Sequence, residues 1–157
     1  RNPCPCGWRG DRERTCVCTP ATIERYSRRV SGPILDRIDM HLDMPRIPLE
    51  HLLTQATGES TAQIRARVIA TRQRQYDRQG TTNADLTQAR LGEYAALPPA
   101  TVELLSKATE KLMLSARAYY RVIRVARTIA DMEGSSDIQV GHVAEALQYR
   151  GAAVAAV

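Results

Sequence analysis

The stretch Leu114–Met132, LSARAYYRVIRVARTIADM, decides the fold. At 100° per residue, Tyr119, Val122, Ile123, Ala126, Ile129 and Ala130 fall on one side of a helix, and Arg117, Arg121 and Arg124 on the other. The apolar side needs other helices to cover it; the opposite side is a basic row. Ser115 is placed to cap the first turn, with Leu114 before the cap and Tyr119 after it forming a hydrophobic staple. This numbering puts Arg117 in the first turn. A cation there opposes the helix dipole at a cost of roughly 0.3–1 kcal/mol, while the free N–H groups of the turn attract an anion. Arg117 reads either as a phosphate sensor or, with Arg121 and Arg124, as part of a solvated face.

Outward from this helix the pattern stays helical. Toward the C-terminus, Gly134 is a stop, and Val140, Val143, Ala144 and Leu147 give a last helix that Arg150-Gly151 closes. Toward the N-terminus, Pro98 and Pro99 open a helix with Val102, Leu105, Ala108 and Leu112 inward. Residues 79–93 form a connection pinned by Leu86 and Leu91. From Ser60 to about Arg78 runs a longer helix, with Ile64, Val68 and Tyr76 apolar and Arg65, Arg67, Arg72, Arg74 and Arg78 basic. Five arginines against Asp77 are either a solvated face or a nucleic-acid or subunit contact. Residues 48–56 read as a short helix. The expectation for residues 47–157 is a compact helical bundle.

The first 46 residues are different. RNPCPCGWRGDRERTCVC, residues 1–18, excludes a regular element by its prolines, glycines and charges, and holds all four cysteines: Cys4, Cys6, Cys16 and Cys18. Two C-x-C pairs about ten residues apart suit one tetrahedral zinc, each pair acting as a clip. Two disulfides or four reduced thiols are the competing readings, disulfides being disfavoured in a reducing compartment. Thr19-Pro20 starts a helix to about Arg29, which Ser31-Gly32-Pro33 stops. After a short turn, ILDRI, the residues Ile38, Met40, Leu42 and Met44 alternate with polar ones and predict a half-buried strand ending near Pro45. A lone strand needs a sheet to join. With no second strand legible, and a start on a motif without Met, the chain is expected to be a piece of something longer.

Composition sets the bounds. At 157 residues and 43% hydrophobic content, one domain or two small ones can bury a core. Phe is absent and aromatics are 4%, so that core is expected to be aliphatic. The net charge of +5 is uneven: nine Lys and Arg against six acids in residues 1–46, five against three in 47–80, and eight against eight in 81–157. Polyanions are therefore plausible partners. No apolar run reaches the roughly 18 residues of a membrane span, and no signal-peptide pattern opens the chain, so a cytoplasmic protein with no membrane partner is expected.

The sequence also lacks some chemistry. The lysines are Lys107 and Lys111, neither after a glycine, so no G-x-x-x-x-G-K-[ST] loop is present to cradle phosphates. Nor does an apolar run end in Asp-Glu to hold magnesium. His41, His51 and His142 are scattered and read as structural.

At this point the residues resemble a family. NPCPCG at 2–7, the pair Cys16/Cys18, SGPILDRIDMH at 31–41, LSARAYYRVIRVARTIAD at 114–131 and HVAEALQYR at 142–150 are similar to the C-terminal portion of magnesium-chelatase-like AAA+ ATPases of the competence protein ComM type. The resemblance implies a mainly α fold: a helical lid (47–157) preceded by a short α/β end of the AAA+ core (1–46). It implies that Asn2 is the sensor-1 residue orienting the attacking water, Arg37 the arginine finger offered to a neighbouring subunit's nucleotide, and Arg117 the sensor-2 arginine. Arg121, Arg124 and Arg127 are left to surface or subunit contacts. It further implies ATP and Mg as cofactors of the longer protein, a homo-hexameric ring, DNA as partner, and DNA remodelling or branch migration in transformation or recombination. A magnesium-chelatase-type motor for metal insertion, or a basic helical module that binds nucleic acid without an ATPase, are the alternatives. Without a P-loop this chain alone is expected to be inactive.

Overall fold

A computed structural model describes residues 2–11, 13–30, 32–44, 47 and 58–154. The chain divides into two compact units, Arg1–Leu35 with Met44–Thr54, and Asp36–Asp43 with Gln55–Val157. The fold is mainly helical, and no strand forms among the described residues.

In the first unit, α1 (Pro20–Ser27) begins as the sequence predicts: the Thr19 hydroxyl accepts the Thr22 N–H and proline fills the first turn. Arg28 follows as the C-cap. The ILDRI turn is helical as far as Arg37, ending the six-residue α2 (Gly32–Arg37), of which Gly32–Leu35 belong to this unit. Neither helix buries a residue.

The second unit is built on the Leu114–Met132 segment. Its helix, α6 (Ala116–Glu133), packs against α3 (Thr61–Gln79), a 3-10 turn (Asn83–Asp85), α4 (Gln88–Tyr94) and α7 (Val140–Val154), while α5 (Pro99–Lys111) packs on α7. Ser115 caps α6 by accepting the Ala118 N–H, and Leu114 and Tyr119 both pack against the core. The expected face of α6 is the buried one: Ala130 is buried, and Val122, Ile123, Ala126 and Ile129 join Leu86, Leu91, Leu105, Ile138, Val143 and Ala146 in one aliphatic cluster. Gly134 ends α6 in the left-handed conformation, φ 74°, which a side chain would strain.

Several expectations are corrected. The strand at 38–44 does not form. The segment has no regular structure and no neighbouring strand among the described residues; the His41 N–H donates to Tyr149 O at 2.7 Å and Arg150 bonds Ile38 O, so the end of α7 satisfies backbone groups that a sheet would have taken. Met40, Leu42 and Met44 are exposed. On α3, with Ser60 and Gln63 forming a full capping box, the apolar Ile64, Val68 and Tyr76 are also exposed, and the buried positions are Thr71, Gln75 and Gln79. The surface that α6 presents there is polar, centred on Asp131, so a polar stripe of α3 matches it. On α5, Thr101 is buried and Val102 is not. On α7, Val143 is buried as expected, but His142 and Ala146 are inward while Val140 and Ala144 are exposed. That helix also passes through Gly151 to Val154, because a glycine that stays right-handed does not end a helix. The 79–93 connection holds its own 3-10 turn and α4, pinned by Leu86 and Leu91 as expected. The short helix expected at 48–56, and His51 within it, lie outside the described residues.

Arg127 is the largest single departure. Expected at the surface, it is 2% exposed, with Nε on Asp131 Oδ1 at 3.1 Å and its two terminal nitrogens on Ser136 O and Ser135 O at 2.8 and 2.6 Å. Asp131, 1% exposed, also takes both terminal nitrogens of Arg78, at 2.5 and 3.0 Å, and Asn83 Nδ2 at 2.7 Å. A guanidinium on the boundary of an amphipathic pattern is held inside when a carboxylate four residues on can meet it there.

Candidate functional site

The first unit gathers four sulfurs. A turn closed by the Gly7 N–H on Cys4 O, 3.1 Å, and a left-handed Gly7 fold the CPCG segment back on itself. Asp11 Oδ1 accepts the Glu13 and Arg14 N–H groups, turning the chain again toward the second clip. Cys4, Cys6, Cys16 and Cys18 then have all their Sγ atoms within 4.8 Å of one another. Three of the separations are 3.4, 3.6 and 3.6 Å, and all four cysteines are free thiols, so the disulfide reading is not the one the structure adopts.

The thiols are not equivalent. The Trp8 N–H, opposed by desolvation and assisted by the Val17 N–H and by the Cys4 and Cys18 thiols, lowers Cys6 to about 6. Cys16 is raised: its bond from the Cys18 backbone is outweighed by desolvation and by the Cys6 and Cys4 sulfurs. Cys18, although its sulfur accepts the Cys6 backbone N–H, is pushed up to about 12 by the Cys6 thiol, desolvation and the other sulfurs. Four sulfur donors converging on one point can hold a divalent ion that replaces the thiol protons.

Asn2 belongs to the same unit; it is exposed, and a Cβ at Gly7 would stand 3.5 Å from its Nδ2.

The second unit holds the arginine row as one wall of a cleft of about 400 Å³ lined by Gln88, Arg117, Tyr120, Arg121 and Arg124. Within it, Arg124 Nε and one terminal nitrogen donate to Leu86 O at 3.2 and 2.7 Å. Arg121 is paired with Asp39, and its Nε is buried without an acceptor among the described residues. Arg117 is exposed in the first turn and has no hydrogen-bond or ion-pair partner among the described residues. Of the three arginines it is the one with its guanidinium left over for an anion.

Ser115 links this cleft to the LDRID segment. While its Oγ accepts the Ala118 N–H at 3.1 Å, it donates to Asp36 Oδ1 at 2.9 Å, and Arg150 reaches the same oxygen at 3.4 Å. The residue next to Arg37 is therefore fastened two positions before Arg117. Arg37 itself is exposed at the end of α2, with no partner among the described residues. Sequence reasoning missed Gln88 and Tyr120 as cleft residues. Tyr120 stands three residues after Arg117 and four before Arg124, so helical spacing alone could have found it. Gln88 comes from a different helix and carries no such signal.

The five arginines of α3 separate. Arg67 is bidentate with Glu59, 2.6 and 3.0 Å, which raises its pKa. Arg74 donates to Asp131 O at 2.8 Å and Arg78 to its carboxylate. Arg65 and Arg72 are exposed with no partner among the described residues. His142 has the structural role expected of it: Nδ1 accepts the Gln139 N–H at 3.0 Å and Nε2 lies 2.9 Å from Glu133 Oε2, which fastens the start of α7. No described helix is long and apolar enough to cross a membrane.

Residues 58–150 match the family described as "Magnesium chelatase, subunit ChlI C-terminal", and residues 1–52 match "Magnesium chelatase, subunit ChlI". The chain is 42% identical over 151 residues to "Competence protein ComM" of Haemophilus influenzae, covering 95% of this chain and 29% of that protein. It is 41% identical over 152 residues to the uncharacterized protein YifB of Salmonella typhimurium, with the same coverage of 95% and 29%. It is also 35% identical over 153 residues to the uncharacterized protein Mb2921c of Mycobacterium bovis, covering 95% of this chain and 30% of that protein. The chain thus spans less than a third of the length of these relatives. On the family match, the chain belongs to the magnesium chelatase ChlI family.

Proposed function

We propose that this chain is the C-terminal portion of a ring-forming AAA+ ATPase that remodels DNA, with residues 1–46 ending the nucleotide-binding core and 47–157 forming its helical lid. The observation that carries the reading is Arg117: an exposed guanidinium without a partner among the described residues, in the first turn of a helix, on a cleft walled by two further arginines. A permanently charged, forked donor beside free helix N–H groups suits a phosphate, and a guanidinium brought to a transferring γ-phosphoryl is worth about 10³–10⁵ in rate. In this reading Arg117 senses the bound nucleotide, Arg37 is the finger presented to the neighbouring subunit, and Asn2 orients the attacking water. ATP and Mg²⁺ are the cofactors, the assembly is a homo-hexamer in the cytoplasm, and this chain by itself hydrolyses no ATP. The likeness to a competence protein supports DNA as the substrate, with Arg65 and Arg72 the α3 cations left for it.

Replacing Arg37 by Ala in the full-length protein is expected to abolish ATP turnover and leave nucleotide binding largely intact. Arg117→Ala is expected to lower both. Unchanged turnover in Arg37→Ala would remove the finger assignment. The family description itself favours a second reading, a motor for metal insertion. A full-length protein that ignores DNA but associates with a porphyrin-binding subunit would establish that one instead.

A further inference from the structure

We propose that Cys4, Cys6, Cys16 and Cys18 hold one Zn²⁺ as a closed tetrathiolate, and that this ion takes the place of a hydrophobic core in the unit formed by Arg1–Leu35 and Met44–Thr54.

The donor geometry is the first support. Four sulfurs at 2.3 Å from one tetrahedral ion stand about 3.8 Å apart. Three of the sulfur separations, 3.4, 3.6 and 3.6 Å, lie within 0.4 Å of that value, and every pair is inside 4.8 Å. Two residues from each clip supply the four corners, so no corner is left for water or substrate, and the site is structural. A multi-iron sulfur cluster places iron and sulfide between its ligands and needs a wider cage than this. Backbone N–H groups of Trp8 and Val17 already point at the Cys6 sulfur, the outer-shell hydrogen bonds that orient thiolate ligands. On binding, Zn²⁺ gains four S–Zn bonds and the thiols lose their protons to solvent, with no change of oxidation state.

The second support is independent of the sulfurs. Among the described residues of this unit, the only buried hydrophobic side chain is Cys4 itself. Neither α1 nor α2 buries a residue, and Val17, Ile34, Met44 and Ile47 are all about half exposed or more. The other large apolar side chains among the described residues of this unit are at most partly buried, as Trp8, Ile23, Val30 and Leu35 are, which leaves little to offset the entropy of ordering its loops, and small domains in that position depend on a metal or on disulfides. The cysteines are free, and a metal is the staple that remains.

The test uses the whole chain, purified under reducing conditions. Metal analysis is expected to find one zinc per chain. Exchange for Co²⁺ is expected to give the thiolate-to-metal charge-transfer and ligand-field bands of a tetrahedral tetrathiolate site. Stripping the metal with a mercurial and a chelator, then restoring it with thiol and Zn²⁺, is expected to open and re-close residues 2–30 to limited proteolysis while the thermal transition of the helical unit stays in place. Cys4→Ser and Cys18→Ser, one from each clip, should each lose the Co²⁺ spectrum and the protection. Less than stoichiometric zinc, iron in its place, or proteolysis of 2–30 that is the same with and without metal would overturn the proposal.

Discussion

Asp131 is a carboxylate with nowhere to put its charge except on Arg78 and Arg127. Burial alone would raise its pKa; the hydrogen bonds from Arg78 and Asn83 and the charges of Arg127 and Arg78 outweigh that and hold it below the usual 3.8. Because the folded value is depressed, its contribution to stability is complete above the unfolded pKa and is lost as pH falls from about 3.8 through the folded value. Asp131→Asn should therefore melt well below the unaltered chain at neutral pH, and the gap should narrow in acid below that point. Removing one partner of a buried pair leaves the other charge stranded, at about 3–5 kcal/mol. Arg127→Met, which leaves Asp131 its bonds from Arg78 and Asn83, should cost less than that; thermal melts from pH 2 to 7 read both. A neutral-pH loss below about 1 kcal/mol would mean that the pair is dispensable. Little of this was legible in the sequence, where Arg127 is one more arginine in a basic helix. Its i,i+4 relation to Asp131 was visible, but its burial depends on Arg78 and Asn83, which come from elsewhere in the chain.

At the scale of elements, α6 does two jobs through one residue. The Ser115 hydroxyl both caps the helix and ties down Asp36. Ser115→Ala should cost about 1 kcal/mol for the cap, plus whatever the tether contributes. Asp36→Ala removes the tether without the cap, so the two losses should be non-additive, and a double-mutant cycle in denaturant midpoints should show coupling of at least about 0.5 kcal/mol. Strict additivity would separate cap from tether. The Thr19 and Ser115 caps, the Gly134 stop and the inward face of α6 were readable, since they depend on residues within one or two turns. On α5 and α7 the inward positions Leu105 and Val143 were read correctly and Val102, Val140 and Ala144 were not, because apolar spacing ranks positions by hydrophobicity alone. On α3 the neighbour is a polar network, and Thr71, Gln75 and Gln79 win the inward positions over Ile64 and Val68. The strand at 38–44 failed for a related reason: alternation describes a surface that could be half-buried, and α7 satisfied the backbone instead.

For the whole molecule, the two units differ in what can hold them. The helical one closes an aliphatic cluster from Leu86 to Ala146, and Leu105→Ala at its centre should cost about 2–5 kcal/mol by chemical denaturation. Toward a polyanion the chain offers a net charge of +5, and on α3 Arg65 and Arg72 are exposed without a partner among the described residues. Binding of this chain to DNA should be weak and steeply salt-dependent, and Arg65→Ala with Arg72→Ala should lower the salt slope by about 2, whereas Arg67→Ala, whose charge already faces Glu59, should lower it less. Tight binding at high salt would point to contacts other than these cations. The sequence by itself determined the helical class, the caps, the inward side of α6, the clustering of the four cysteines and the family, because each is written in short-range spacing or in a motif. Only the tertiary structure decided which arginines are occupied and which are free, and that the sulfurs meet at one point. A guanidinium's availability depends on acceptors fifty or more residues away, as Asp131 is from Arg78 and Asp39 from Arg121, and no local pattern records that distance.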